Sequence, residues 1–184
     1  MLFNGIEIEK IIMPKDQREV LISHCLRKLN QKYLEHESKE RKAYGLIGGR
    51  VEDNVLCIGA IAPLYKNSRE HSDEKRYMDE VLGKHAQASE TPLPQRGWVA
   101  DADETINILG EFGAKGLELI AAYHMHRVPW ENDPTRETPT ELDTVLAEGS
   151  GLFTFIIATI NPDMPVIRAF YEGYIDQELP IVVV

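Results

Sequence analysis

The sequence predicts an α/β domain: one mixed, largely antiparallel sheet flanked by helices. Three observations predict it. Apolar runs of strand length alternate with stretches of helical spacing, in the order helix, strands, helix, strand, helix, strands. Clusters of Gly, Pro, Asn and Asp punctuate those runs where turns are needed. At 184 residues the chain can bury a substantial core, and it shows no internal repeat or low-complexity tract, so residues 1–184 read as a single domain.

Residues Phe3 to Met13 alternate loosely (Ile6 and Ile8 against Glu7 and Glu9), which suits an edge strand or an extended lead-in. From Gln17 to about His36 the positions Val20, Leu21, Cys25, Leu26, Leu29, Tyr33 and Leu34 follow helical spacing. His24 beside that stripe reads as a half-buried or solvent-facing structural histidine, and His36 as part of a solvated, charged helix end. Ala43 to Arg50 and Val55 to Leu64, joined by the turn-prone Glu52-Asp53-Asn54, predict a β-hairpin or meander. The glycines in the first of these runs match no phosphate-binding loop, and turn or close-packing roles are expected of them.

The segment from about 66 to 96 opens polar and closes on Thr91-Pro92-Leu93-Pro94-Gln95, with a short helix expected around Tyr77, Val81 and Leu82. Such a segment suits a lid or insertion, and His71 and His85 within it are expected to be exposed rather than ligands. Asp101 or Asp103 caps a helix bearing Ile106, Ile108, Leu109 and Phe112, which stops at Gly113 or Gly116. A strand over Leu117–His126 follows, then a polar loop over 127–138. Thr138 as N-cap, Pro139 as first helical residue and Glu141 as reciprocal cap predict the next helix start. Thr140 and Asp143 then share a face in its first turns. Strands over Leu152–Ile160 and Val166–Tyr171 flank the turn at 161–165, and Ile181–Val184 forms a short terminal strand or pairs with a partner's sheet edge.

Composition excludes several function classes. With 30 acidic against 20 basic side chains and a net charge of −10, the chain lacks the basic stripe of a nucleic-acid binder and suits anionic lipid poorly, and no apolar run reaches the length of a membrane helix. Cys25 and Cys57 stand far apart in apolar settings, and read as small core residues rather than a disulfide framework or a C-x-x-C metal pair. No secretory signal is evident at the start, and a cytoplasmic protein is expected.

The chemistry concentrates between Leu117 and Asp143. Side chains at i and i+2 of a strand point to one side, so His124 and His126 present two imidazoles together at a strand end. Asp143, returned by the loop, completes a two-His-plus-carboxylate set suited to a catalytic Zn2+ with water in its fourth position. Two nearby histidines also arise by chance; the strand exit, the long polar loop and the aspartate at a helix start favour the metal site.

These residues resemble a known family. Gly45-Leu46-Ile47-Gly48, then His124-Met125-His126, then Pro139-Thr140-Glu141-Leu142-Asp143 look like the JAMM motif of the JAB/MPN domain. The likeness extends loosely over residues 15–172, including Asn67 and Tyr77-Met78-Asp79. It implies an MPN-like sandwich and a zinc metallopeptidase that cleaves peptide or isopeptide bonds at the tails of ubiquitin-like or sulfur-carrier proteins. By similarity His124, His126 and Asp143 bind zinc, and the Thr140 hydroxyl stands where a family serine helps hold the oxyanion.

The sequence departs from that pattern in two places. The family places a glutamate base shortly before the glycine strand, at a position occupied here by Lys42; Glu40, two residues earlier, shares its face if the segment is extended, and Glu35 and Glu37 fit less well. Asp143 follows His126 by 17 positions (143 − 126), longer than the family spacing, and Arg127 replaces a proline. The loop's Glu131, Asp133 and Glu137 either enclose a different substrate, supply a base, or form a solvated loop. Two other readings stand beside the peptidase: a non-catalytic MPN-like interaction module with or without zinc, and a metal-dependent hydrolase of a small amide or amine with the loop as lid. A homo-oligomer is open, with the Pro92–Arg96 insertion and the C-terminal tail as candidate contact surfaces.

Overall fold

An eight-stranded mixed sheet forms the centre of the computed structural model, which describes residues 2–3, 5–89 and 91–184. In chain order its elements are β1 (Leu2–Phe3), β2 (Ile6–Glu7), β3 (Lys10–Met13), α1 (Lys15–Leu29), β4 (Tyr44–Glu52), β5 (Val55–Leu64), α2 (Ser72–His85), α3 (Ala102–Ala114), β6 (Glu118–His126), α4 (Glu141–Ala147), β7 (Phe153–Ala158), β8 (Val166–Tyr171), β9 (Glu178–Leu179) and β10 (Ile181–Val183). The sheet order is β10-β3-β5-β4-β6-β7-β8-β9, while β1 and β2 pair separately. The pairs β4–β5, β4–β6, β7–β8 and β8–β9 are antiparallel; β10–β3, β3–β5 and β6–β7 are parallel.

Helices cover both faces. On one, Leu21 and Cys25 of α1 pack against Ile47, Ile61, Tyr123 and Phe155. On the other, Phe112 of α3 and Trp98 pack with Leu46 and Leu64, while Ala122 of β6 lies against the same cluster. β7 is buried along its whole length, as expected of a strand covered on both faces. No helix of the described residues is long and apolar enough to cross a membrane.

The β4–β5 hairpin forms as expected, turning through Asp53 and Asn54, both at positive φ. Gly45 lies opposite Tyr123 in the ladder, and a β-carbon there would overlap the Tyr123 ring. Close packing is therefore its role. Gly45→Ala is expected to destabilise the protein by about 1–3 kcal/mol or more, because overpacking displaces a buried ring that cannot swing outward. Urea denaturation measures it; an unchanged midpoint would refute this role for Gly45.

Several boundaries differ from expectation. The segment expected as an edge strand or an extended lead-in contributes β3, which lies between β5 and β10 because the C-terminal strand returns beside it and takes the edge. α1 stops at Leu29 rather than near His36. Gln31 adopts positive φ, and the chain folds back so that the buried Glu37 carboxylate accepts from Arg27 and from the Leu34 N–H. The helix around Tyr77 is longer than expected, spanning Ser72–His85 with Met78 and Leu82 as its buried residues. Asp101 is the N-cap of α3, accepting from the Glu104 N–H. Of the expected α3 stripe, Phe112 is buried, whereas Ile106 and Leu109 are exposed. His24 is buried, not half-exposed, and its Nδ1 lies 2.8 Å from the Tyr123 hydroxyl. Both cysteines are free.

Candidate metal centre

β6 ends between β4 and β7, where His124 is paired on both sides, with Tyr44 and Ile156, and His126 pairs with Ala158 of β7. Beyond the last paired residue, the Thr159 N–H and hydroxyl donate to the His126 carbonyl and hold the strand end in place. His124 lies opposite Tyr44, whose ring stacks on it at 5.6 Å between centroids; Trp98 stacks on the other side of Tyr44 at 5.1 Å. This Trp98–Tyr44–His124 stack sets the plane of the first imidazole.

The second imidazole is set by a hydrogen bond. His126 is buried, and its Nδ1 lies 2.9 Å from the Arg136 carbonyl. A carbonyl only accepts, so Nδ1 carries the proton and neutral His126 turns an Nε2 lone pair inward, the tautomer that suits a metal ligand. Burial, against the opposing pull of Asp143, lowers the His126 pKa and keeps the ring neutral.

Asp143 arrives on α4, which begins two residues later than the sequence suggests. The N-cap is Thr140, not Thr138, and Asp143 rather than Glu141 closes the capping box. The helix starts here because the Asp143 carboxylate satisfies the Thr140 N–H at 2.7 Å while the Thr140 hydroxyl accepts from the Asp143 N–H at 3.3 Å. The Thr140 hydroxyl also donates to Asp143 Oδ2 at 2.8 Å. Thr140 thus braces the carboxylate, and it lines the pocket that contains the two histidines.

The three side chains converge. His124 Nε2 and His126 Nε2 are 3.0 Å apart, Asp143 Oδ1 is 3.0 Å from His124 Nε2, and Asp143 Oδ2 is 3.4 Å from His126 Nε2. Zinc in a tetrahedral site binds donors at about 2.0–2.1 Å, which sets neighbouring donors about 3.3–3.4 Å apart. The triangle is close to that spacing. Two imidazole nitrogens and a carboxylate facing one another also repel unless a proton or a metal lies between them, so the donor set fits a cation. Burial would raise the Asp143 carboxyl, but the charge and hydrogen bonding of His124, with the His126 ring beside it, outweigh it and hold the group well below the usual carboxylate range.

Two cavities meet at this triangle. A polar pocket of about 160 Å³ contains His124, His126, Thr140 and Asp143 together with Lys42 and Arg127. An apolar cavity of about 740 Å³ runs between the sheet and the α2–α4 pair, lined by Leu46, Leu64, Met78, Trp98, Leu146 and Phe153 among others. Tyr44, His124 and Asp143 border both. His85 of α2 reaches Glu141 of α4 at 2.8 Å, tying the two helices together, and the exposed His71 lies at the start of α2; neither belongs to the metal set among the described residues.

Glu40 lies one ion pair away from the pocket. Its carboxylate accepts from Lys42 Nζ at 2.7 Å and from Asn67 Nδ2 at 2.8 Å, and Lys42 lines the pocket. Glu37 is committed to Arg27 and Lys28. Asp133 is committed to the backbone and side chain of Arg136, and none of Glu131, Asp133 and Glu137 lines either cavity. Sequence reasoning missed Tyr44 and Arg136. Tyr44 had one available signal, its place directly before Gly45; the Arg136 carbonyl had none, because any loop residue can supply one.

No protein-family profile matches the chain, and no curated protein matches it. Among solved structures it is similar to the solution structure of protein DSY2949 from Desulfitobacterium hafniense, with a TM-score of 0.60 and 20% identity over 95% of this chain and 92% of that one. A protein from Salinibacter ruber matches with a TM-score of 0.46 and 16% identity, over 87% of this chain and 80% of that one. The first likeness is one of fold alone.

Proposed function

We propose that the chain is a zinc-dependent hydrolase of amide bonds, of the JAMM type, on an MPN-like sandwich. The observation that carries the reading is the convergence of His124, His126 and Asp143 at near-tetrahedral donor spacing, with the His126 tautomer fixed by the Arg136 carbonyl. These three residues would hold the metal. Zinc bound there supplies Lewis acidity, bringing the pKa of water towards neutrality and polarising a carbonyl. In the overall reaction water adds to the acyl carbon, the C–N bond breaks, and a proton passes to the departing amine.

The protein's own residues supply orientation and proton handling. Thr140 braces Asp143, and its hydroxyl would have to turn its one proton away from Asp143 Oδ2 to serve as the oxyanion partner the resemblance implies. Glu40 is the proton acceptor the resemblance suggests, and to reach the pocket it would have to leave its pair with Lys42, whose ammonium also donates to the Gly97 carbonyl at 3.0 Å. The resemblance points to the tail of a ubiquitin-like or sulfur-carrier protein as substrate. The large apolar cavity beside the metal triangle favours a second substrate reading, a small amide bound by an apolar group.

Metal content and cleavage together test the proposal. Purified or zinc-reconstituted protein is expected to hold about one zinc per chain by mass spectrometry, lost in His126→Ala. Cleavage of ubiquitin-like tail fusions, or of small acyl amides, should fall by about 10²–10⁴-fold in Glu40→Gln with zinc retained. A chain that takes up no zinc would sink the hydrolase. Zinc without cleavage of either substrate class would leave a metal-bearing interaction module.

A further inference from the structure

The polar pocket has a charge pattern opposite to that of the chain. In a protein with 30 acidic and 20 basic side chains, the pocket is lined by Lys42, Arg96, Arg127 and Arg136 against one carboxylate, Asp143, which belongs to the metal set. The apolar cavity on the other side of the triangle is lined by Asp73, Glu74 and Asp143 and, among the described residues, by no lysine or arginine. A ligand spanning both cavities therefore meets cations on one side of the metal and apolar or acidic groups on the other.

The four cations are not equally engaged. Lys42 pairs with Glu40, and Arg136 pairs with Asp133 while its guanidinium lies 3.5 Å from the Trp130 ring centroid. Arg96 donates to the carbonyls of Gln87, Ser89 and Thr91, which fixes the loop after α2 but neutralises no charge. Among the described residues Arg127 makes one hydrogen bond, 3.4 Å from its guanidinium to the Thr91 hydroxyl, and has no carboxylate partner; Arg41 and Tyr33 are its charged and polar neighbours. Directly after His126, it lines the same pocket as the metal ligands. The Nε of the buried Arg136 also lacks a hydrogen-bond partner among the described residues. Guanidinium groups in such surroundings suit a carboxylate, which they bind through planar, charge-assisted hydrogen bonds.

We infer that the polar pocket is a carboxylate subsite centred on Arg127, and that the substrate is an amide of the N-acyl amino acid type, with its apolar acyl chain in the large cavity, its amide at the metal triangle and its carboxylate on Arg127. This rests on the hydrolase reading for the fate of the amide, but not for the binding of the acid.

Calorimetric titration with N-octanoylglycine and its neutral partner N-octanoylglycinamide tests the subsite on zinc-loaded and zinc-free protein. The acid is expected to bind at least about tenfold tighter in both forms, the advantage of a charge-assisted hydrogen bond. Arg127→Gln should erase that preference with zinc content unchanged, and Arg127→Lys should restore part of it. Equal affinity for the acid and the amide would overturn the subsite while leaving the metal centre intact. A preference that needs zinc and survives Arg127→Gln would place the carboxylate on the metal and would also overturn it. A preference lost in Arg127→Gln in a protein that takes up no zinc would uphold the subsite and sink the hydrolase.

Discussion

Asp143→Ala is expected to abolish zinc retention and hydrolysis together, and to loosen the helix that carries the residue. One carboxylate serves three neighbours: Oδ1 faces His124, Oδ2 faces His126, and Oδ2 also accepts the Thr140 N–H and hydroxyl. Removing the third donor leaves two histidines, and the lost Lewis acidity amounts to several kcal/mol of transition-state stabilisation, or about 10³-fold or more in rate. Removing the capping box costs about 0.5–2 kcal/mol in addition. Asp143→Asn separates the two effects. Its amide oxygen can still accept the Thr140 N–H, so the helix start should hold, while the lost charge weakens the metal. Zinc content by mass spectrometry and the denaturation midpoint of the metal-free proteins measure the two parts. Wild-type zinc in Asp143→Ala would remove the aspartate from the site.

The site was legible where local periodicity fixed it. A strand alternates by two whatever surrounds it, so His124 and His126 had to point the same way, and a helix start after Pro139 had to bring Asp143 near the front of a helix. The choice of Thr140 over Thr138 as cap was not legible, because both threonines can cap and the selection lies in tertiary contact: the aspartate that closes the box is also the one drawn to the histidines. The end of α1 was illegible for a similar reason. Tyr33 and Leu34 continue a helical stripe, yet Glu37 offers Arg27 a buried ion pair that only a reversed chain can make. β3 read as an edge strand or a lead-in because its partner β10 lies at the far end of the chain, and no local signal reports so distant a parallel pairing. Glu40 was named from the motif, but its tie to Asn67, 27 residues on, needed the fold.

Acidification is expected to destabilise the protein from pH 6.5 downward, and His24 is the residue that sets much of that slope. Burial, with Arg27 and Lys28 nearby and only Glu37 opposing, lowers its pKa from 6.5 to about 3. The folded ring stays neutral across a range where the unfolded chain takes up a proton. Stability is therefore full above pH 6.5 and is lost as pH falls towards 3, by at most about 1.4 kcal/mol per pH unit. Between pH 6.5 and 5 that amounts to about 2 kcal/mol, at a pH where the strongly lowered Asp143 and the lowered Glu37 are still ionised and add little. Buried His126 contributes with the same sign, so the comparison must isolate His24. His24→Gln retains a hydrogen-bonding partner for the Tyr123 hydroxyl and cannot titrate. Urea denaturation of the metal-free proteins across this interval should give the variant a pH slope shallower by about one proton's worth, with His126 cancelling between the two. Parallel slopes would mean that the buried His24 ring gains its proton in the folded state as readily as in the unfolded chain, which its burial and the neighbouring Arg27 and Lys28 argue against.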